Sequence, residues 1–161
     1  MVVIAFFRHG KAEPKGEGVS DEERKLTSEG KRDVEAVARL FPFKPSIIFT
    51  SPLRRAVETA EIVARALGLS GNAILVDERL RPGSPHGVEV LESMGLRGYE
   101  VLVGHNPWLL ETVEELVGGR IALPPGGAAL VDVEAFKPGG GVLLALIIPQ
   151  AARNCMVRNS S

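Results

Sequence analysis

Hydrophobic positions in this chain fall into two patterns, short solid runs and longer helical stripes, and the two alternate. Val2 to Phe7, Ser46 to Thr50, Ala73 to Val76 and Tyr99 to Val103 are short runs rich in β-branched and aromatic residues, the signature of buried strands. Between them, Val34, Val37, Ala38 and Phe41 recur at helical spacing and predict a helix from about Glu29 to Leu40. Thr27 or Ser28 would cap that helix, and Pro42 and Pro45 would stop it. Ser51-Pro52 opens a second helix reaching about Leu67 before Gly68, Val88 to Met94 forms a short third, and Pro107 starts a fourth that ends at Gly118. Two later runs, Ala128 to Val133 and Val142 to Ile148, flank the turn-forming KPGGG and read as a hairpin. Strand and helix alternating through residue 118 imply an α/β three-layer sandwich: a mainly parallel sheet, mixed at one edge, with helices on both faces. No repeat or linker divides the chain, so residues 1–150 are expected to form one domain and 151–161 a frayed tail.

The apolar strands predict where chemistry lies. In open α/β sheets ligands bind beyond the carboxyl ends of the strands. Arg8, His9 and Gly10 follow the first strand, Ser51-Pro52-Leu53-Arg54-Arg55 the second, and Gly104-His105-Asn106-Pro107 the fourth. Two of the three histidines in the chain therefore hold equivalent strand-end positions. The third, His86, lies in a loop with no ligand partner nearby in sequence and reads as a surface residue. Arg54 and Arg55 stand in the first turn of a helix, where the macrodipole disfavours cations by about 0.3 to 1 kcal/mol. An anion at the same place would explain one of them, and neighbours on a helix point apart, so only one should face it.

Composition narrows the choice. At 161 residues with 45% hydrophobic and 24% charged residues, the chain is typical of a globular domain. No apolar run approaches the roughly 18 to 20 residues that span a bilayer, and the N-terminus lacks a secretory signal, so a cytoplasmic location is expected. A net charge of −1 offers no general attraction to nucleic acid or membranes, so recognition of an anion must be local. Cys155 is the single cysteine, which excludes an internal disulfide. No Asp or Cys cluster has metal-ligand spacing, and GxxxxGK[ST] and DxD motifs are absent from the sequence. The strand-end set thus points to a phosphate pocket without a metal or other cofactor.

Arg8-His9-Gly10, LTSEGKRD at 26–33, SPLRRAVETA at 51–60 and VGHNP at 103–107 together resemble the histidine phosphatase superfamily, whose fold is phosphoglycerate mutase-like. The short length and the pattern Arg24-x-Leu26-Thr27-x-x-Gly30 are most similar to the SixA-type phosphohistidine phosphatases. The resemblance implies that His9 is the nucleophile and that Arg8, Arg55 and His105 hold the phosphoryl group. It implies also that Arg24 is an additional substrate-binding arginine. Gly10 would permit close backbone approach, and Asn106 would cap the helix after the second histidine. Larger members carry an acidic residue after the third strand that protonates the leaving group. Here Glu78 is the candidate, and a surface ion pair with Arg79 or Arg81 is its alternative reading.

These expectations converge on a metal-independent phosphatase acting through a phosphohistidine on His9, with protein phosphohistidine as substrate. A small phosphorylated metabolite, split by a phosphomonoesterase or a phosphoglycerate mutase-like enzyme, is the first rival. A phosphate- or phosphoprotein-binding module without turnover is the rival of a different class. Neither nucleic acid nor membrane is expected as a partner, and the sequence leaves the oligomeric state open.

Overall fold

The computed structural model describes residues 1–159, with side chains through residue 155. Its centre is one six-stranded sheet. The strands are β1 (Val3–Arg8), β2 (Ile47–Thr50), β3 (Ile74–Val76), β4 (Glu100–Gly104), β5 (Ala128–Val133) and β6 (Gly141–Ile147), in the spatial order β3-β2-β4-β1-β5-β6. The first four are mutually parallel, while β5 runs antiparallel to both β1 and β6. The mixed edge predicted from the KPGGG hairpin is therefore present.

β1 has no polar side until its last residue because it is buried on both faces. Ala5 and Phe7 pack under α1 (Ser28–Ala38) and α2 (Arg54–Ala66), with Val34, Val37, Ala60 and Val63. Ile4 and Phe6 pack on the opposite face against Leu109, Val113 and Leu116 of α4 (Trp108–Val117) and Leu91 of α3 (Val88–Ser93). Alternation at period two thus feeds two hydrophobic layers, and each such fully buried side chain contributes about 1.5–3 kcal/mol of transfer free energy. Thr27 caps α1 by accepting the Gly30 N–H at 2.9 Å.

Two expectations are corrected. α2 begins at Arg54 rather than at Pro52, because Ser51 and Pro52 form a turn in which Ser51 Oγ accepts the Leu53 N–H at 3.2 Å. The segment expected to fray carries α5 (Pro149–Asn159) instead. Ala152 is fully buried in the α1 layer, and Arg153 Nη1 meets Asp33 at 3.1 Å, so packing on α1 supplies what weak helical patterning did not. Residues 160 and 161 lie outside the described residues. Among the described residues, no helix is long and apolar enough to cross a membrane.

Register fixes where the site falls. Arg8 is level with Gly104, and Thr50 with Val103. The residues that follow β1, β4 and β2, namely His9, His105 and Ser51, therefore emerge side by side from three adjacent strands.

Candidate active site

His9 and His105 face each other with ring centroids 5.0 Å apart and planes inclined at 54°. His9 Nδ1 lies 2.7 Å from its neighbour's carbonyl, Gly10 O. A carbonyl only accepts, so Nδ1 carries the proton and Nε2 keeps its lone pair. The His9 backbone is pinned as well, its N–H donating to Gly104 O at 3.0 Å and its carbonyl accepting from Gly126 N–H at 2.9 Å.

His105 is 3% exposed, and its Nε2 lies 2.8 Å from Ser51 Oγ, which is itself fully buried. The buried Ser51 hydroxyl accepts the Leu53 N–H, and among the described residues its own hydrogen has only His105 Nε2 to donate to. That assigns the His105 proton to Nδ1, an atom without a hydrogen-bond partner among the described residues. The pair thus presents one lone pair, on His9 Nε2, and one N–H, on His105 Nδ1.

Burial and the surrounding cations keep both rings neutral. Desolvation, followed by the charges of Arg55, Arg8 and Arg24, pushes His9 down to about 4 against the lift from its Gly10 bond. His105 falls to about 3, from burial first and then from His9 and Arg55.

Arginines surround the pair. Arg8 Nη1 donates to Leu123 O at 3.0 Å, and its buried Nε has no partner among the described residues. Arg55 is only 6% exposed. Its Nη1 donates to Asp21 O at 2.8 Å and its Nη2 to Asp21 Oδ2 at 3.2 Å. Those two bonds use part of the guanidinium fork and leave further N–H groups for an anion. Arg24 Nη1 donates to the other oxygen of the same carboxylate, Asp21 Oδ1, at 2.9 Å. One carboxylate therefore fastens both arginines, and these cations in turn hold it below the usual carboxylate range, the Arg24 bond being the larger cause. Arg54 points away, with a side chain 55% exposed and Nε 3.9 Å from Glu58. Adjacent arginines on one helix thus separate as the helical rotation requires.

Gly10 permits the close backbone approach expected of it, and the element that approaches is α1. The Gly10 N–H donates to Thr59 Oγ1 at 3.1 Å and its carbonyl accepts the His9 Nδ1–H, so its polar atoms hold the loop. A Cβ there would stand 2.8 Å from Val34 Cγ2 and 2.9 Å from Gly30 O, so this glycine is demanded by the approach of α1. Asn106 does not cap α4, whose N-cap is Pro107, and its Nδ2 donates instead to Leu123 O at 3.1 Å. Glu78 makes no hydrogen bond to either histidine among the described residues. Its carboxylate accepts from Arg81 Nε at 2.9 Å with a side chain 73% exposed, so the surface-pair reading is the one observed. Arg81 also holds Glu22, which ties the turn at 21–23 to the turn at 78–80.

Sequence reasoning missed Ser51, Thr59, Asp21 and the placement of His86. Ser51 had a readable signal, since it follows a strand end as His9 and His105 do. Thr59 lies one helical turn beyond Arg55. Nothing in the polar run 11–28 distinguishes Asp21. His86 is exposed, as expected of a surface residue, and it also lines a cavity of about 140 Å³ together with His105.

The arrangement suits attack by a neutral imidazole on an anion held by guanidinium groups and one imidazole N–H. Among the described residues, no three His, Cys, Asp or Glu side chains group as a metal site would.

Comparison with known proteins agrees with this geometry. A family model of the histidine phosphatase superfamily (branch 1) matches residues 4–87, a little over half of the chain. No curated protein sequence matches. Among solved structures, the protein histidine phosphatase SixA complexed with tungstate superposes with a TM-score of 0.79 at 22% identity, covering 93% of this chain and 99% of that one. A protein from Agrobacterium tumefaciens proposed to be the phosphohistidine phosphatase SixA gives 0.77 at 23% identity, with 92% and 98% covered. A phosphoserine phosphatase from Entamoeba histolytica in complex with 3-phosphoglyceric acid gives 0.67 at 19% identity, with 91% and 96% covered. At these identities the likeness is one of fold.

Proposed function

The chain belongs to the histidine phosphatase superfamily, and from that premise we propose that it is a phosphatase whose nucleophile is His9 and whose substrate is protein phosphohistidine. The observation that carries this reading is the His9 tautomer, with Nδ1 held on Gly10 O and Nε2 left as a free nucleophile opposite His105.

In the proposed cycle the phosphoryl group sits between the two imidazoles. Arg8, Arg55 and Arg24 neutralise its charge, and His105 Nδ1–H donates to an oxygen. His9 Nε2 attacks phosphorus in line, the N–P bond forming as the bond to the leaving group breaks. Water then attacks phosphorus, releases inorganic phosphate and returns His9. The guanidinium groups supply the electrostatic stabilisation that a metal provides elsewhere, so the reaction is proposed to need neither metal nor cofactor. His9, already neutral at pH 7, requires no base to activate it.

Two features support phosphohistidine as the substrate class. The two SixA structures resemble this fold over nearly the whole chain. The cavity beside His105 is small, about 140 Å³, and bordered by aromatic rings, as a departing imidazole would want.

A substrate panel tests the reading. A phosphohistidine peptide should be turned over faster, by kcat/KM, than phosphoserine or 3-phosphoglycerate, with no change in EDTA. Preference for the metabolites, or activity restored only by a divalent ion, would overturn it.

A further inference from the structure

The cavity beside His105 is lined by Pro82, Ser84, His86, His105, Asn106 and Trp108 among others. It lies where the loop after β3 meets the start of α4. Three of these residues carry a buried polar atom without a partner among the described residues: His105 Nδ1, Asn106 Oδ1 and Trp108 Nε1. Buried polar atoms are ordinarily satisfied, and a cluster of exceptions calls for a bound group or an ordered water to meet them. One wall is the titratable His86. Its Nε2 lies 2.5 Å from Glu111 Oε2 on the first turn of α4, and its ring centroid lies 6.5 Å from that of Trp108. A carboxylate bound at Nε2 fixes the ring's orientation and leaves Nδ1, unpartnered among the described residues, as the nitrogen that exchanges a proton.

We propose that His86, oriented by Glu111, is the proton donor to the leaving group, and that the cavity it shares with His105 is the leaving-group subsite. This inference rests on the proposed role of His9. In the first half-reaction His9 Nε2 forms its bond to phosphorus and the bond to the leaving atom breaks. The departing electron pair takes the proton from His86 Nδ1, leaving His86 neutral. In the second half-reaction water attacks phosphorus and His86 Nδ1 accepts its proton, so His9 is freed with its lone pair and His86 returns protonated. The cycle closes with one water consumed. It gives the site the acid that Glu78, exposed and bound to Arg81, does not supply. Glu111 is a positioning residue in this scheme, because it acts only through His86.

Leaving-group dependence separates this role from a structural one. Phosphoenzyme formation is measured by rapid quench for wild type, His86→Gln and Glu111→Gln, using p-nitrophenyl phosphate, phenyl phosphate and a phosphohistidine peptide. p-Nitrophenolate leaves without a proton. His86→Gln should therefore change that rate by less than about 3-fold while slowing phenyl phosphate by about 100-fold, the scale of lost general acid catalysis, with an intermediate loss on the phosphohistidine peptide, whose imidazole is the better leaving group. Glu111→Gln should give a smaller loss with the same selectivity. Tungstate binding, which reports on the phosphoryl cage alone, should be unchanged in both. Equal losses on all three substrates, or none on any, would overturn the proposal. If His9→Ala still forms a phosphoenzyme, the parent reading fails instead, which is a distinct result.

Discussion

Replacing Ser51 with alanine removes the hydroxyl that sets the His105 tautomer. The Ser51–His105 bond of 2.8 Å is buried at both ends. Its loss strands an imidazole nitrogen that water does not reach, at a cost of about 1–3 kcal/mol. The Leu53 N–H loses its acceptor as well, so the melting temperature should fall visibly. The functional cost is separate. Without the hydroxyl, the His105 proton distributes between Nε2 and Nδ1. Whenever it sits on Nε2, a lone pair faces the phosphoryl oxygen in place of a donor. Removing one preorganised donor of this type costs about 10²- to 10³-fold in rate, so Ser51→Ala should lower kcat on p-nitrophenyl phosphate about 100-fold. The assay pairs this rate with nitrogen NMR of labelled histidine. Wild type should show the His105 proton on Nδ1, and Ser51→Ala a mixture. A kcat within about 3-fold of wild type with the tautomer unchanged would refute the argument.

Other outcomes follow from the same contacts. Arg55→Lys keeps a charge but loses the fork that meets Asp21 O and Oδ2, so its kcat/KM should drop about 100-fold. Arg54→Ala removes only an exposed pair at 3.9 Å, worth about 0–1 kcal/mol at most, and should leave both rate and melting temperature near wild type. Stability should also depend on pH through the two histidines. Folded His9 and His105 are held at about 4 and about 3, against 6.5 for the free side chain, so below 6.5 the unfolded chain binds the extra protons. Their contribution is complete above about pH 6.5 and is lost as pH falls through 6.5 toward 4 and 3. Thermal melts across that window should flatten in a His9→Asn variant, and an identical slope would contradict the assigned burial.

The sheet was legible because both faces of β1 and β4 are buried, which writes strands as solid apolar runs. The His9, His105 and Arg55 positions were legible for a related reason, as polar residues ending such runs. The start of α2 was misplaced because Ser51 was read as a cap. In the fold its hydroxyl faces His105, a partner 54 residues away that no local pattern encodes. α5 has weak helical patterning of its own and depends on packing against α1 through Ala152 and Arg153. Asp21 gains meaning only when Arg24 and Arg55 converge on it, and His86 only when the chain returns through Glu111 and Trp108. Each missed residue is defined by contacts distant in sequence.

The central claim is that His9 carries the phosphoryl group. The direct measurement is to quench turnover in base, digest, and locate the phosphoryl group by mass spectrometry. The account predicts a base-stable, acid-labile adduct on the peptide containing His9, absent from His9→Ala, which should also lose turnover. A phosphoryl group found on another residue, or full activity in His9→Ala, would contradict it.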